Sequence, residues 1–230
     1  VAAAELRETA RAAEIAALLV ERSLGGSATD LDQRLAAFAR DRSRRASDMR
    51  GLARSWAKEA EGDARSTTRG TASTAALLAL AYPDRIAMAR GTPGQFLLAN
   101  GRAAAVDAAD PLALAPFLVV AEVSGTAAKA RILLAAATDE VEVRAIACDR
   151  IAVTEASEFE PAHAAVRTRR TERLGAITLR SEPRPTKPGP ETAALLARGL
   201  ADLGIASLPW SRAQQQLRAR VAFIRAAGTT

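Results

Sequence analysis

Through the first sixty positions, apolar residues recur at three- and four-residue steps. Leu6, Ala10, Ala13, Ala17 and Val20 follow this spacing with Glu and Arg between them, which predicts an amphipathic helix. Gly25-Gly26 is read as its stop, and Thr29 or Asp30 as the cap of a second helix that sets Leu31, Leu35 and Phe38 on one face. A third helix is expected from about Ser47, carrying Leu52 and Trp56. The polar, Gly-punctuated stretch from Glu61 to Thr74 reads as a linker. Ala75 to Ala81 then forms a short apolar helix, and Pro83 is placed at the first turn of another that runs through Ala89.

From Gln95 the period changes. "QFLLAN" and "GRAAAV" are two short strands about Asn100-Gly101, a dipeptide suited to tight hairpin turns. "PFLVVAEVSG" and "AAKARILLAAA" form a second pair about Ser124-Gly125, and Asp139 to Arg150 reads as a helix. A long hairpin follows in "FEPAHAAVRTRRTERLGAITLRSEP". About five strands with one intervening helix predict a small antiparallel barrel of the oligonucleotide-binding type, with the Arg-rich hairpin among its strands. Pro183 to Pro190 is a stiff spacer. Two helices follow it, Glu191 to Leu203 and one opened by Pro209 or Ser211. The fold class is therefore α+β, with a helical segment and linker at 1–74, a barrel at 75–187 and C-terminal helices at 188–230.

Composition narrows the picture. Hydrophobic residues make up 49% of the 230 positions, enough for a core, but much of this is alanine and only 3% of the chain is aromatic. The apolar runs are too short to span a membrane, and no basic segment leads an apolar stretch at the start. A single cysteine, Cys148, fits a reducing cytoplasm and is expected as a small core residue. The chain opens in mid-pattern with Val1 and no Met, which reads as a piece of a longer protein. Trp56 and Trp210 are expected to anchor helices against the barrel.

Charge and chemistry point to binding rather than turnover. The net charge is +6, and Lys58, Lys129 and Lys187 are the only lysines, so the basic side is almost all arginine. Guanidinium groups fork onto phosphates, and a GC-rich genome gives the same bias, so clustering is the informative quantity. His163 is the only histidine, and no lysine follows a glycine, which excludes a His-built metal site and a GxxxxGK[ST] phosphate loop. Asp139-Glu140 reads as a helix start, and Arg85 as an ion-pair partner of Asp84. The segment has no catalytic residue and no cofactor or metal of its own by this reading. The strongest cluster runs from Arg167 to Lys187, where Arg167, Arg169, Arg170, Arg173, Arg180, Arg184 and Lys187 face only Glu172 and Glu182. Arg167, Arg169, Arg170, Arg173 and Arg180 are the candidate nucleic-acid ligands, because alternate strand residues share a face and can track a phosphate backbone. A solvated hairpin edge is the competing reading of the same residues. "RDRSRR", Arg40 to Arg45, is a second cluster at a helix end.

The ordered set "LLALAYPDRIA", "GQFLLANGRAA", "DPLALAPFLVVAE", "ARILLAA", "RRTERLGAITL" and "LPWSRAQQQLRARVAFIR" resembles the C-terminal half of HrpB-type bacterial DEAH-box ATP-dependent helicases. "AAELRETARAAEIAALLVER" with "DLDQRLAAF" is similar to the end of the family's helical ratchet region. The resemblance implies a parent that couples ATP hydrolysis, with magnesium, to movement on single-stranded RNA or DNA through RecA-like motor domains of the same chain. It implies no catalytic residue here, because the phosphate loop, acidic box and arginine finger have no counterpart in these 230 positions. It also implies that the barrel lies near the nucleic-acid path or receives a protein partner.

Overall fold

A computed structural model describes residues 8–62, 72–126 and 130–228. The chain divides into two compact units, one of residues 1–153 with 172–180 and one of 154–171 with 181–230. Leu6 and most of the expected linker, 63–71, lie outside the described residues.

In the first unit, α1 (Thr9–Val20), α2 (Leu31–Arg40), α3 (Arg44–Gly62) and α4 (Thr74–Ala81) precede the strands. Asp30 caps α2 by accepting from the Asp32 amide, and Leu31, Leu35 and Phe38 are buried as their spacing predicts. Ala13 and Ala17 of α1 are buried with Ala53 and Ala57 of α3. Four side chains this small allow two helices to approach closely. Trp56 packs against this alanine cluster, among helices rather than against the barrel.

After α4 the chain does not form a second helix through Ala89. Pro83–Arg85 makes one 3-10 turn, and β1 (Ile86–Ala89) is a strand. A four-residue apolar run has no period of its own, and β1 becomes a strand because both its edges are paired, to β2 and to β4. The remaining barrel strands are β2 (Gln95–Leu98), β3 (Ala103–Ala105), β4 (Phe117–Ser124) and β5 (Arg131–Thr138). They close in the order β1-β2-β3-β5-β4. All pairings are antiparallel except β3 with β5, which is parallel through Ala105 and Arg131. The barrel is therefore mixed rather than purely antiparallel, within the expected α+β class.

β4 is buried on both sides over Phe117–Ala121, which explains its unbroken apolar run, whereas β2, β3 and the start of β5 alternate buried and exposed positions. Ala87, Phe96, Leu98, Leu118, Val120 and Ile132 form the interior. Ile86, Val119 and Leu134 join the helical core with Leu18, Leu31, Phe38 and Leu78. Arg85 does not pair with Asp84. Its Nη1 donates to the Ala121 carbonyl at 2.7 Å, and its guanidinium lies 4.5 Å from the Tyr82 ring centre. Asp139 caps α5 (Glu140–Ile146) by accepting from the Glu142 amide. Cys148, expected in the core, is exposed because the helix ends at Ile146 and Ala147 takes the buried position.

The Arg-rich hairpin is not a barrel strand. The barrel closes without it, and β6 (Ile151–Glu160), β7 (Ala165–Leu174) and β8 (Ile177–Arg184) form a separate sheet in the order β6-β7-β8. In the first unit, the β7–β8 turn meets the barrel through Gly175. Its φ is +55°, and a Cβ there would sit 2.2 Å from the Ala99 carbonyl oxygen. The neighbouring Ala176 amide donates to that same oxygen at 2.8 Å.

The second unit holds the outer parts of those strands with α6 (Pro190–Leu203) and α7 (Arg212–Ala227). Phe159 packs on α6 at Gly199, where any Cβ would fall 2.1 Å from a ring atom. Ser211 and Gln214 make a reciprocal capping box at the start of α7, and Arg218 lies 4.7 Å from the Trp210 ring centre. Among the described residues, no helix is long and apolar enough to cross a membrane.

Candidate nucleic-acid interface

Alternation along β7 sorts the candidate arginines. Arg167, Arg169 and Arg173 are exposed, whereas Thr168, Glu172 and Leu174 on the other parity are buried. Arg170 shares that inward parity and is half-buried. Arg180, on β8, is exposed, and both Arg170 and Arg180 have interaction partners. Arg173 and Arg180 belong to the first unit, whereas Arg167, Arg169 and Arg170 belong to the second. Within the second unit, Arg167 and Arg169 share one face of β7 and line one groove.

The inward parity of β7 is held by hydroxyls. Ser157 and Thr168 are 2.8 Å apart, Thr168 donates to Thr186 at 3.1 Å, and Thr186 donates to the Val166 carbonyl at 3.2 Å. This ladder satisfies the buried threonine and leaves the opposite side chains to solvent. On that outer side, Arg167, Arg169 and Thr171 line a groove of about 360 Å³ with Ala156, Glu158 and Glu160 of β6, Phe159 and Pro161. Two cations and two carboxylates therefore share it.

Glu158 and Glu160 are the groove residues that charge counting along the chain misses. The short Pro161–His163 connection returns the chain from β6 to its neighbour β7 and sets Glu160 beside Arg167. The Arg167 Nε donates to Glu160 Oε2 at 2.7 Å, and His163 Nδ1 lies 3.0 Å from the same oxygen. The hydrogen bond from Arg167 holds the Glu160 carboxyl below its ordinary range. Among the described residues, Arg169 forms no ion pair.

The second basic cluster is drawn into the helices of the first unit. Arg40 donates to the Ala36 carbonyl, Arg44 reaches Asp48 of its own helix, and Arg45 pairs with Glu21 at 2.7 Å. Hydrogen bonding from Arg45 lowers the Glu21 pKa. Elsewhere in that unit, Arg144 donates to Glu140 and to Glu172, both at 2.8 Å, and ties α5 to β7. No cluster of His, Cys, Asp and Glu among the described residues is arranged to hold a metal ion.

No family model matches the chain. Over 152 residues, 64% of the chain, it is 32% identical to the ATP-dependent RNA helicase HrpB of Escherichia coli K12, and it spans 18% of that relative's length. Two solved structures of the E. coli protein match 93% of the chain. The crystal structure of the DExH-box NTPase HrpB has a TM-score of 0.63 at 28% identity, with 25% of its own chain covered. That of the DEAH/RHA helicase HrpB has a TM-score of 0.61 at 24% identity, with 26% covered, and carries the likeness of fold. In sequence and in fold, the chain is similar to a part of the E. coli helicase HrpB, and it spans about a quarter or less of that protein.

Proposed function

We propose that this segment is an accessory part of an ATP-dependent helicase that holds single-stranded nucleic acid by its backbone and braces the motor domains. ATP, magnesium and the RecA-like domains belong to the rest of such a protein, which works in the cytoplasm. RNA is the favoured strand, since the matched relative bears the name of an RNA helicase. The barrel is read as an oligonucleotide-binding type from its five strands, its closure and its single parallel contact. The observation that carries the binding reading is the pair Arg167 and Arg169, exposed on one face of β7 in one groove. With aromatics at 3% of the chain, contact falls on phosphates rather than on stacked bases, and sequence preference is weak. The test is titration of the 230-residue chain with a short oligouridylate at rising salt. The logarithm of affinity should fall with a slope of about −0.7 per engaged arginine. An affinity that ignores salt contradicts the proposal.

A second reading, docking of a protein partner, is favoured by α7, where Leu217, Val221, Phe223 and Ile224 are exposed. A partner retained after nuclease treatment, by a chain that ignores oligonucleotides, would support it over the first.

A further inference from the structure

We infer that Glu160 is a built-in competitor for the phosphate group that Arg167 would hold, so the β6–β7 groove admits a polyanion only as this carboxylate gives way. The inference rests on the nucleic-acid reading above and names how that site is controlled.

Glu160 is positioned for this by the backbone. It precedes Pro161, which disfavours a helical conformation, and it is extended at φ −101°, ψ 104°. The 3-10 turn Pro161–His163 and Ala164, at φ 48°, then return the chain so that Arg167 meets the carboxylate. Oε2 accepts from Arg167 at 2.7 Å and lies 3.0 Å from His163 Nδ1, so one oxygen sits where a phosphate oxygen would sit. Both side chains keep water access, at 54% exposure for Arg167 and 38% for Glu160. A pair this exposed is weak and yields to a stronger anion.

Arg169 supplies the way in. It lies about 6.8 Å along the strand on the same face, close to the distance between successive phosphates of an extended single strand. A phosphate on Arg169 brings its neighbour to Arg167, where it displaces Glu160 from the guanidinium. The carboxylate stays in the groove, so Arg167 adds little net charge on binding. A ligand with adjacent phosphates is favoured over a lone anion, which meets Glu160 without an anchor at Arg169.

Oligouridylate titrations of the chain and four variants test this at one neutral pH, with thermal melts to verify folding. Glu160→Gln should bind about two- to fivefold tighter, the strength of an exposed ion pair. Its salt slope should steepen by about 0.7, the value of one neutralised phosphate on a single strand, because the Arg167 charge is no longer offset by Glu160. In Arg167→Ala the gain should vanish, so that Glu160→Gln/Arg167→Ala binds like Arg167→Ala alone. If Glu160→Gln binds no better while Arg169→Ala weakens binding, the competitor role is overturned and the nucleic-acid reading stands. If neither Arg169→Ala nor Arg167→Ala changes affinity, or no form binds, both fall.

Discussion

Glu160 carries a charge whose pairing is set by the backbone turn that follows it. Its pKa is lowered by the hydrogen bond from Arg167, so its contribution to the folded state is complete above the ordinary glutamate pKa. That contribution is lost as pH falls through the lowered folded value. A carbon-13 titration of the side-chain carboxyl should show the depressed midpoint, and Arg167→Ala should move it upward, with His163 still holding part of the depression. An unshifted midpoint in the parent chain would contradict the pairing. Gly175 tests the backbone. At φ +55° and with Ala99 O 2.2 Å from any added Cβ, Gly175→Ala combines left-handed strain with a backbone clash. The loss should exceed about 2 kcal/mol, read as a lowered melting midpoint. A change within error would mean the β7–β8 turn does not rest on the barrel.

For the helices and strands, the barrel interior is the most demanding part of the fold. Phe96 is fully buried and is the one aromatic among its interior residues. Phe96→Ala should cost about 3–5 kcal/mol in denaturant unfolding, with the cavity adding to the lost burial. A cost below about 1 kcal/mol would show a barrel that collapses around the void. Elements with their own period or cap were legible from sequence. Leu31, Leu35 and Phe38 marked α2, Asp139 marked α5, Ser211 marked α7, and Asn100-Gly101 marked the β2–β3 turn. Elements decided by partners were not. Ile86–Ala89 resembled a continuing helix because its four residues carry no alternation, and only pairing on both edges makes it a strand. The arginine hairpin was legible as a hairpin, but its exclusion from the barrel depends on β1 closing against β4. At the site, the shared face of Arg167 and Arg169 followed from period two, while Glu160 beside Arg167 depends on how the Pro161–His163 turn returns the chain.

For the molecule as a whole, the feature that bears on binding is its charge and where that charge sits. The chain spans 18% of the E. coli relative, so its proposed role is to contribute contacts to a larger machine. Its +6 charge alone would attract polyanions without regard to position, so net charge cannot distinguish a site from a diffuse field. Position can. The decisive measurement is oligouridylate affinity of Arg167→Glu/Arg169→Glu beside Arg42→Glu/Arg212→Glu, which makes the same change in net charge at exposed residues outside the groove. Binding should fall by at least about tenfold in the first and change little in the second, with both proteins folded. Equal losses in the two variants, or none in the first, would contradict the proposed site.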